Sequence, residues 1–446
     1  MLDIISSGLL SLWLDTARVH QTSRATLVWQ RNTHFVLPTQ PDTTALQTVD
    51  EFLKLWTSRG WDREQQGVWL QTGPSLLADN QGKTPLPAAS LTKVATTLAA
   101  LKTWEPDYQF ETVIGATGPI VNGELQGDLI ITGGDDPFFV WEEAIALGNA
   151  LHQLGILRVT GHLILVGNFS MNYEIDPAQV GQWLKQSFNS AEWDGAMEAR
   201  HQRISPVVPR PLVAIAGGVK TTVTPVPNQT LLLRHQSLPL AKLLHHMNTY
   251  SSNALSEAIA DAVGGAEVVR TTAAQAAGVP LDEILIINGS GLGAENRISP
   301  RAAVAMLMAI QREINSHNLT LADVFPVIGR DKGTAEDRQV SVPTAIKTGT
   351  LWDVSALAGV LPTRDRGLVW FAIINRGGDI ENFREQQDRL LNQLIHQWGA
   401  APNPTPAVTP QFSFNPELLK LGAPGRNQPN RDRTPLNSAE SSPQPL

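Results

Sequence analysis

Apolar residues recur along the chain at two periods, and the switches between them outline its elements. From Val49 to Trp61 the apolar positions Phe52, Leu53, Leu55 and Trp56 follow the spacing of one helix face, and Gly60 marks the end. The next stretch, GVWLQTGPSLLADNQGKTPLPAAS, alternates and turns at Gly73-Pro74, which predicts a strand, a turn and a short strand. It leads into SLTKVATTLAALKTW, where Leu91, Val94, Leu98 and Leu101 mark the buried side of a helix with Ser90 at its N-terminus.

From about Asp107 to Arg234 the pattern changes to apolar runs of strand length. GDLIITGGDDPFFV, VTGHLILVGNFS and VPRPLVAIAGGVKTTVTPVPNQTLLL read as strands and turns, with WEEAIALGNALHQLG helical between them. Helical spacing returns in LAKLLHHMNTYSSNALSEAIADAVGG, read as one helical connection with Ser251 and Asn253 in its middle, and in PRAAVAMLMAIQREI. IKTGTL, ALAGVLPTRDRGLVWFAIINR and FREQQDRLLNQLIHQW close the pattern as a strand, a hairpin and a helix. The expected organisation is an N-terminal segment over 1–44, a main domain from 45–106 and 235–400, an inserted α+β domain at 107–234, and a tail at 401–446. That tail holds ten of the chain's 30 prolines and is expected to be disordered.

Composition narrows the function classes. A chain of 446 residues with 42% hydrophobic content can fill more than one domain core. A net charge of −8 offers no basic footprint for nucleic acid. Without cysteine, disulfides, thiolate metal sites and a cysteine nucleophile are excluded, while the redox compartment stays open. Gly8 to Leu14 is apolar but short, Asp3 precedes it, and no Lys or Arg supplies a charged n-region, so no standard signal peptide is evident. The segment reads as an atypical export or anchoring element, or as a helix packed on the body or on the membrane surface.

The chemistry lies in three short motifs: Ser90-x-x-Lys93, Ser251-Ser252-Asn253 and Lys347-Thr348-Gly349. A serine hydroxyl is a weak nucleophile near neutral pH, and an amine three residues along the same helical face can act as its base. Ser-x-x-Lys alone arises by chance roughly once or twice in a chain this long, so the ordered set carries the argument. In this reading Ser90 attacks a carbonyl and Lys93 takes its proton, its pKa lowered by burial and by a second cation, Lys347. Ser251 relays a proton to the leaving nitrogen, and Asn253 orients the lysine. Lys347 and Thr348 meet the substrate's terminal carboxylate, and Gly349 lets the strand approach it without a side chain in the way. The backbone N–H groups of Ser90 and Thr350 are the candidate oxyanion donors.

With these motifs in place, the chain resembles the class C low-molecular-mass penicillin-binding proteins, the DacB-like D-alanyl-D-alanine carboxypeptidase/endopeptidase family, from about Thr48 to Trp398. PAASLTKVATTLAAL resembles its nucleophile helix, GDLIITGGDDP its glycine-rich turn, MNTYSSNALSE its Asn-x-x-Ser-x-Asn pattern, INGSGLGAENRISP the stretch after the second motif, and AIKTGTL the last one. The resemblance implies an α/β (α+β) fold: a β-lactamase/transpeptidase-like catalytic domain with a smaller α+β domain inserted between the first two motifs. It implies a serine DD-peptidase acting on peptidoglycan peptides in the periplasm or elsewhere outside the cytoplasm, inhibited by β-lactams and needing no cofactor.

Two departures qualify the resemblance. Lys93 and Ser251 are closer in sequence than in relatives with two inserted domains, so the insert is expected to be shortened. After GHLILV the chain reads Gly167-Asn168-Phe169-Ser170, where relatives often carry an acid that holds the substrate's diamino acid. The alternatives are a β-lactamase or esterase on the same fold, and a non-catalytic wall-binding scaffold. No Glu-x-x-Leu-Asn stretch between Ser251 and Lys347 supports a class A β-lactamase arrangement. His245-His246 lacks a third ligand at zinc-like spacing, Asp135-Asp136 reads as an acidic turn, and GSGLG at 289–293 as a backbone turn, so no metal is expected. The sequence sets neither oligomeric state nor the balance between carboxypeptidase and endopeptidase.

Overall fold

A computed structural model describes residues 42–204, 208–402 and 405–430. The apolar segment Gly8–Leu14 lies outside the described residues. No helix among the described residues is long and apolar enough to cross a membrane.

The main domain is built on a five-stranded antiparallel sheet in the order Ala345–Leu351, Val354–Thr363, Gly367–Arg376, Gln66–Thr72, Ser75–Asn80. Alternation along its strands feeds two cores. Val68, Leu70, Leu357, Phe371 and Ile373 face helices Thr43–Ser58 and Ile380–Trp398. Trp69, Ala356, Ala358, Trp370 and Ala372 face the larger core, which helices Thr92–Thr103, Leu240–Tyr250, Asn253–Val263, Ala266–Ala277 and Pro300–Asn315 complete. Because both faces are covered, Val354–Thr363 is buried at every position and shows no polar alternation.

Two helices differ from the pattern read off the sequence. Thr92–Thr103 is buried from Thr92 through Leu101 rather than along one stripe, because it runs between the sheet and the helical layer. Its polar side chains are matched: Thr96 Oγ1 donates to Gly289 O at 2.7 Å, and Asn248 Nδ2 donates to Thr97 Oγ1 at 3.0 Å. The segment read as one helix around Ser251 is two. Leu240–Tyr250 ends with Ser251 in the left-handed region at φ 52°, and Ser252 caps Asn253–Val263 by accepting from Leu255 N.

Between Glu111 and Gln236 the chain forms a separate layer. A six-stranded mixed sheet runs in the order Val219–Thr222, Leu163–Val166, Leu129–Thr132, Glu111–Ala116, Thr230–Gln236, Asn427–Pro429, beside a small four-stranded sheet. Helices Trp141–Gln153 and Pro177–Phe188 cover its own apolar core.

That sixth strand corrects the reading of 401–446 as a disordered tail. Through Asn430 the chain is a strap across the body. Val408 joins the main core, and Asn427–Pro429 pairs with Thr230–Gln236. Arg426 forms a buried ion pair with Glu143, whose carboxylate also accepts from Gly422 N at 3.0 Å. Proline and asparagine cannot build a core, but they can lie on one already formed, held by hydrogen bonds and a few buried side chains. Residues 431–446 lie outside the described residues.

Candidate active site

Ser90 sits in a single 3-10 turn, Ala89–Leu91, immediately before helix Thr92–Thr103, close to the predicted N-terminus. Ala89 takes the left-handed conformation at φ 49°, a strained geometry for a residue with a Cβ. The surrounding backbone holds it. A Cβ on Gly291 would come within 1.9 Å of Ala89 O, and one on Gly349 within 2.8 Å of Ala88 O and 3.1 Å of Ser90 N. Gly349 therefore admits the Ser90 turn, where the sequence reading assigns the space to substrate.

The three motifs converge. Ser90, Ser251, Thr348 and Thr350 line one cavity of about 660 Å³. Behind it, Lys93 Nζ lies 2.9 Å from Ser90 Oγ, 2.8 Å from Asn253 Oδ1 and 2.7 Å from Ser290 O. Lys347 Nζ lies 3.1 Å from Ser251 Oγ and 2.8 Å from its neighbour's carbonyl, Thr348 O. Both lysines are fully buried. Burial pulls the Lys93 amine down to about 7, while the Glu257 carboxylate opposes the shift. Burial also drives Lys347 well below its ordinary value, with the neighbouring Lys93 charge as the second cause. Desolvation thus takes the leading role the sequence reading had shared with Lys347 as a second cation.

Partner chemistry fixes what Lys93 can do. Asn253 Oδ1 and Ser290 O are carbonyl oxygens and only accept. A neutral amine has two protons for these two acceptors and one lone pair, which the Ser90 hydroxyl can fill as donor. The hydrogen-bond set is complete for a neutral base poised on a serine.

Sequence reasoning missed the residues that build this cradle. The GSGLG turn supplies Ser290 O. Glu257 holds the turn by accepting from Gly289 N at 2.8 Å and from Ser290 N at 3.0 Å, and Ser256 Oγ donates to Gly289 O at 2.7 Å. The available signal was the run INGSGLGAENRISP, but its contribution is a backbone carbonyl that no residue type announces.

The other constellations separate from the site. His245 lies 3.7 Å from Asp331, and His246 packs against Phe138 and Tyr250. Asp136 accepts from Phe138 N at 2.8 Å, and burial raises its carboxyl to about 7. Gly167–Ser170 lines a second cavity of about 710 Å³, where the acids are Asp135, Asp136 and Asp261.

Comparison with known proteins gives the family and the fold. The D-Ala-D-Ala carboxypeptidase 3 (S13) family matches residues 63–176 and 210–396. The chain is 24% identical over 408 residues to D-alanyl-D-alanine carboxypeptidase DacB of Haemophilus influenzae, covering 69% of this chain and 84% of that one. It is 26% identical over 344 residues to carboxypeptidase DacB of Mycolicibacterium smegmatis, covering 67% and 73%. Among solved structures, a predatory endopeptidase from Bdellovibrio bacteriovorus, in complex with an immunity protein, shares the fold with a TM-score of 0.68 at 22% identity, covering 82% of this chain and 99% of that one. Penicillin-binding protein 4 of Haemophilus influenzae gives a TM-score of 0.59 at 20% identity, covering 78% and 99%. With the family matched across the catalytic frame and most of the insert, the chain belongs to the D-Ala-D-Ala carboxypeptidase 3 (S13) family of serine DD-peptidases.

Proposed function

We propose that Ser90 is the nucleophile of this serine DD-peptidase and Lys93 its base. The carrying observation is the single amine within hydrogen-bond reach of Ser90 Oγ, Asn253 Oδ1 and Ser290 O inside a buried cradle. In the acylation step Lys93 accepts the Ser90 proton as Oγ bonds to the carbonyl carbon of the penultimate D-Ala. The C=O electron pair moves onto oxygen, next to the backbone N–H groups of Ser90 and Thr350. Ala345–Leu351 is the edge strand of its sheet and lies beside the Ser90 turn; its outer side bridges Val327 at Ala345, and among the described residues no strand pairs with that side at Thr348–Thr350. Collapse of the tetrahedral intermediate breaks the C–N bond. The departing nitrogen receives a proton through the Ser251 hydroxyl, which Lys347 holds in place. Water then releases the acyl group by the reverse relay.

A strained β-lactam carbonyl would follow the same first step, and a relative of this fold is described as acylated by penicillin G. The substrate places the working enzyme on peptidoglycan, outside the cytoplasm. The test is incubation with a fluorescent penicillin and then with purified muropeptides, beside Ser90→Ala. Stable labelling of the wild type alone, with release of D-Ala or of uncross-linked monomers, supports the assignment. Equal labelling of Ser90→Ala rejects it, and rapid loss of label through drug hydrolysis points to a β-lactamase.

A further inference from the structure

The inserted layer leaves the main domain and returns to it at one point. Its two covalent links are hydrogen-bonded to each other: Phe110 N donates to Ser237 Oγ and Ser237 N to Phe110 O, each at 2.9 Å, and Gln109 Nε2 donates to Ser237 O at 2.6 Å. Two paired segments that leave a body together form a hinge, which bends unless another contact opposes it.

The strap crosses beside that hinge. On the main domain, Asp323 accepts from Gln411 N at 2.9 Å and from Phe412 N at 2.8 Å, and Leu419 and Leu421 pack against the larger core. The next residue, Gly422, already donates to Glu143 on the insert, and Arg426 pairs with the same carboxylate. Asn427 Oδ1 then meets His235 Nδ1 at 2.9 Å, and Asn430 N donates to Leu232 O at 2.8 Å. The crossing is therefore taut, with fixed contacts on both sides of the Leu421–Gly422 peptide bond.

Bending at the hinge would change the second cavity, of about 710 Å³. Asp135, Asn168 and Thr221 on the insert line one wall, and Ala258, Asp261 and Ala262 on helix Asn253–Val263 line the other. That helix begins with Asn253, which holds Lys93. We propose that the strap is a brace on the hinge. It holds the insert at one angle to helix Asn253–Val263, fixes the width of this cavity, and so lets the enzyme retain a peptide that reaches the insert, while a compact penicillin reacts without it. Arg426 is then a positioning residue, remote from Ser90. The kinetic half of the inference rests on Ser90 being the nucleophile; the width of the cavity does not.

Because the chain has no cysteine, spin labels on Thr221→Cys and Asp261→Cys report that width directly. A narrow distance distribution is expected in the full chain, and Arg426→Ala should broaden it. In muropeptide hydrolysis the same substitution should raise KM about five- to twentyfold with kcat near wild type, while acylation by benzylpenicillin per folded molecule is unchanged. Arg234 and Gln428 lie opposite each other in the strand pair, so Arg234→Cys with Gln428→Cys can form a disulfide that refastens the strap. Added to Arg426→Ala, it should restore the peptide KM when oxidised and lose the rescue when reduced. Glu143→Gln keeps the side-chain volume without the ion pair; it should shift both readouts the same way by less, and it serves if Arg426→Ala does not fold. An unbroadened distribution overturns the brace. So does an equal loss with peptide and penicillin, which would mark general damage, and so does a broadened distribution with an unchanged peptide KM. Failure of benzylpenicillin to acylate the wild type defeats the nucleophile assignment and the kinetic half with it, while the distance distribution still decides the brace.

Discussion

The buried lysines of the active site and the buried Glu143–Arg426 pair of the strap are opposite solutions to one problem. Taking a charge out of water is costly in both places. At Glu143 an opposite charge and the Gly422 N–H offset part of the cost, while burial still holds its carboxyl above the usual carboxylate range. His235, whose Nε2 is 3.9 Å from Glu143, is pulled down to about 4 by burial and stays neutral near pH 7. At Lys93 the direct partners are uncharged oxygens. Relief comes there through losing a proton, which is what a base requires. A buried ionisable group is thus a catalytic signal only when its partners leave deprotonation as the favourable outcome and a nucleophile shares its cavity.

If that contrast is right, damage to one cluster should appear in rate and damage to the other in stability. The largest effect is expected from Lys93→Met, which keeps the volume but removes the base. Acylation by a fluorescent penicillin should fall at least about 10⁴-fold, measured by stopped-flow or gel labelling. Melting should change less than in the strap variant below. Normal acylation by Lys93→Met would remove the base from the mechanism.

Next in size, Arg426→Ala leaves Glu143 buried without its cation and should destabilise the fold by about 3–5 kcal/mol in denaturant titration. The acylation rate per folded molecule should stay near that of the wild type. Replacing both partners, Glu143→Leu with Arg426→Met, should recover much of the loss, because a well-packed apolar pair carries no desolvation cost. If Arg426→Ala unfolds at the wild-type denaturant midpoint, the strap is only resting on the surface.

A smaller effect is expected from pH alone. With Lys93 held at about 7, the neutral base is lost as pH falls, so acylation should drop about tenfold per unit below pH 7 and level off above it. The stability contribution has the matching sign. Between about 7 and the free-lysine value near 10.4, the unfolded chain binds the extra proton, so the penalty this residue places on the native state shrinks as pH rises. A flat profile from pH 5 to 9 would mean that the amine is already neutral throughout or takes no part.

The contrast also explains what the sequence could and could not reveal. The convergence of Ser90, Lys93 and Lys347 was legible because they are side chains at fixed spacing, on a helix and a strand with clear periodicity, whereas the contact of Lys347 with Ser251 was not. The break at Ser251 was hidden, since neither Gly nor Pro punctuates LAKLLHHMNTYSSNALSE and the left-handed residue is a serine. Strap order was hidden because Arg426 meets a partner 283 positions away in sequence. Local composition reports the entropy of ordering such a segment but not the prefolded surface that receives it. Ser290 was hidden for a third reason: it acts through a carbonyl that every residue has.

The smallest effect separates the two causes that set the Lys93 amine. Burial lowers its pKa, and the Glu257 charge raises it again. Glu257 also holds the GSGLG turn through Gly289 N and Ser290 N, so the substitution must keep an acceptor there. Glu257→Gln retains one carbonyl oxygen and removes the charge. With less stabilisation of the protonated amine, the inflection in the acylation profile should move to lower pH, and the rate at pH 6 should rise roughly two- to fivefold. The plateau above pH 8 should stay near the wild-type rate, because the neutral amine is the reacting form in both proteins. A fallen plateau with an unmoved inflection would assign Glu257 to the geometry of the turn alone, and burial would then be sufficient to account for the base.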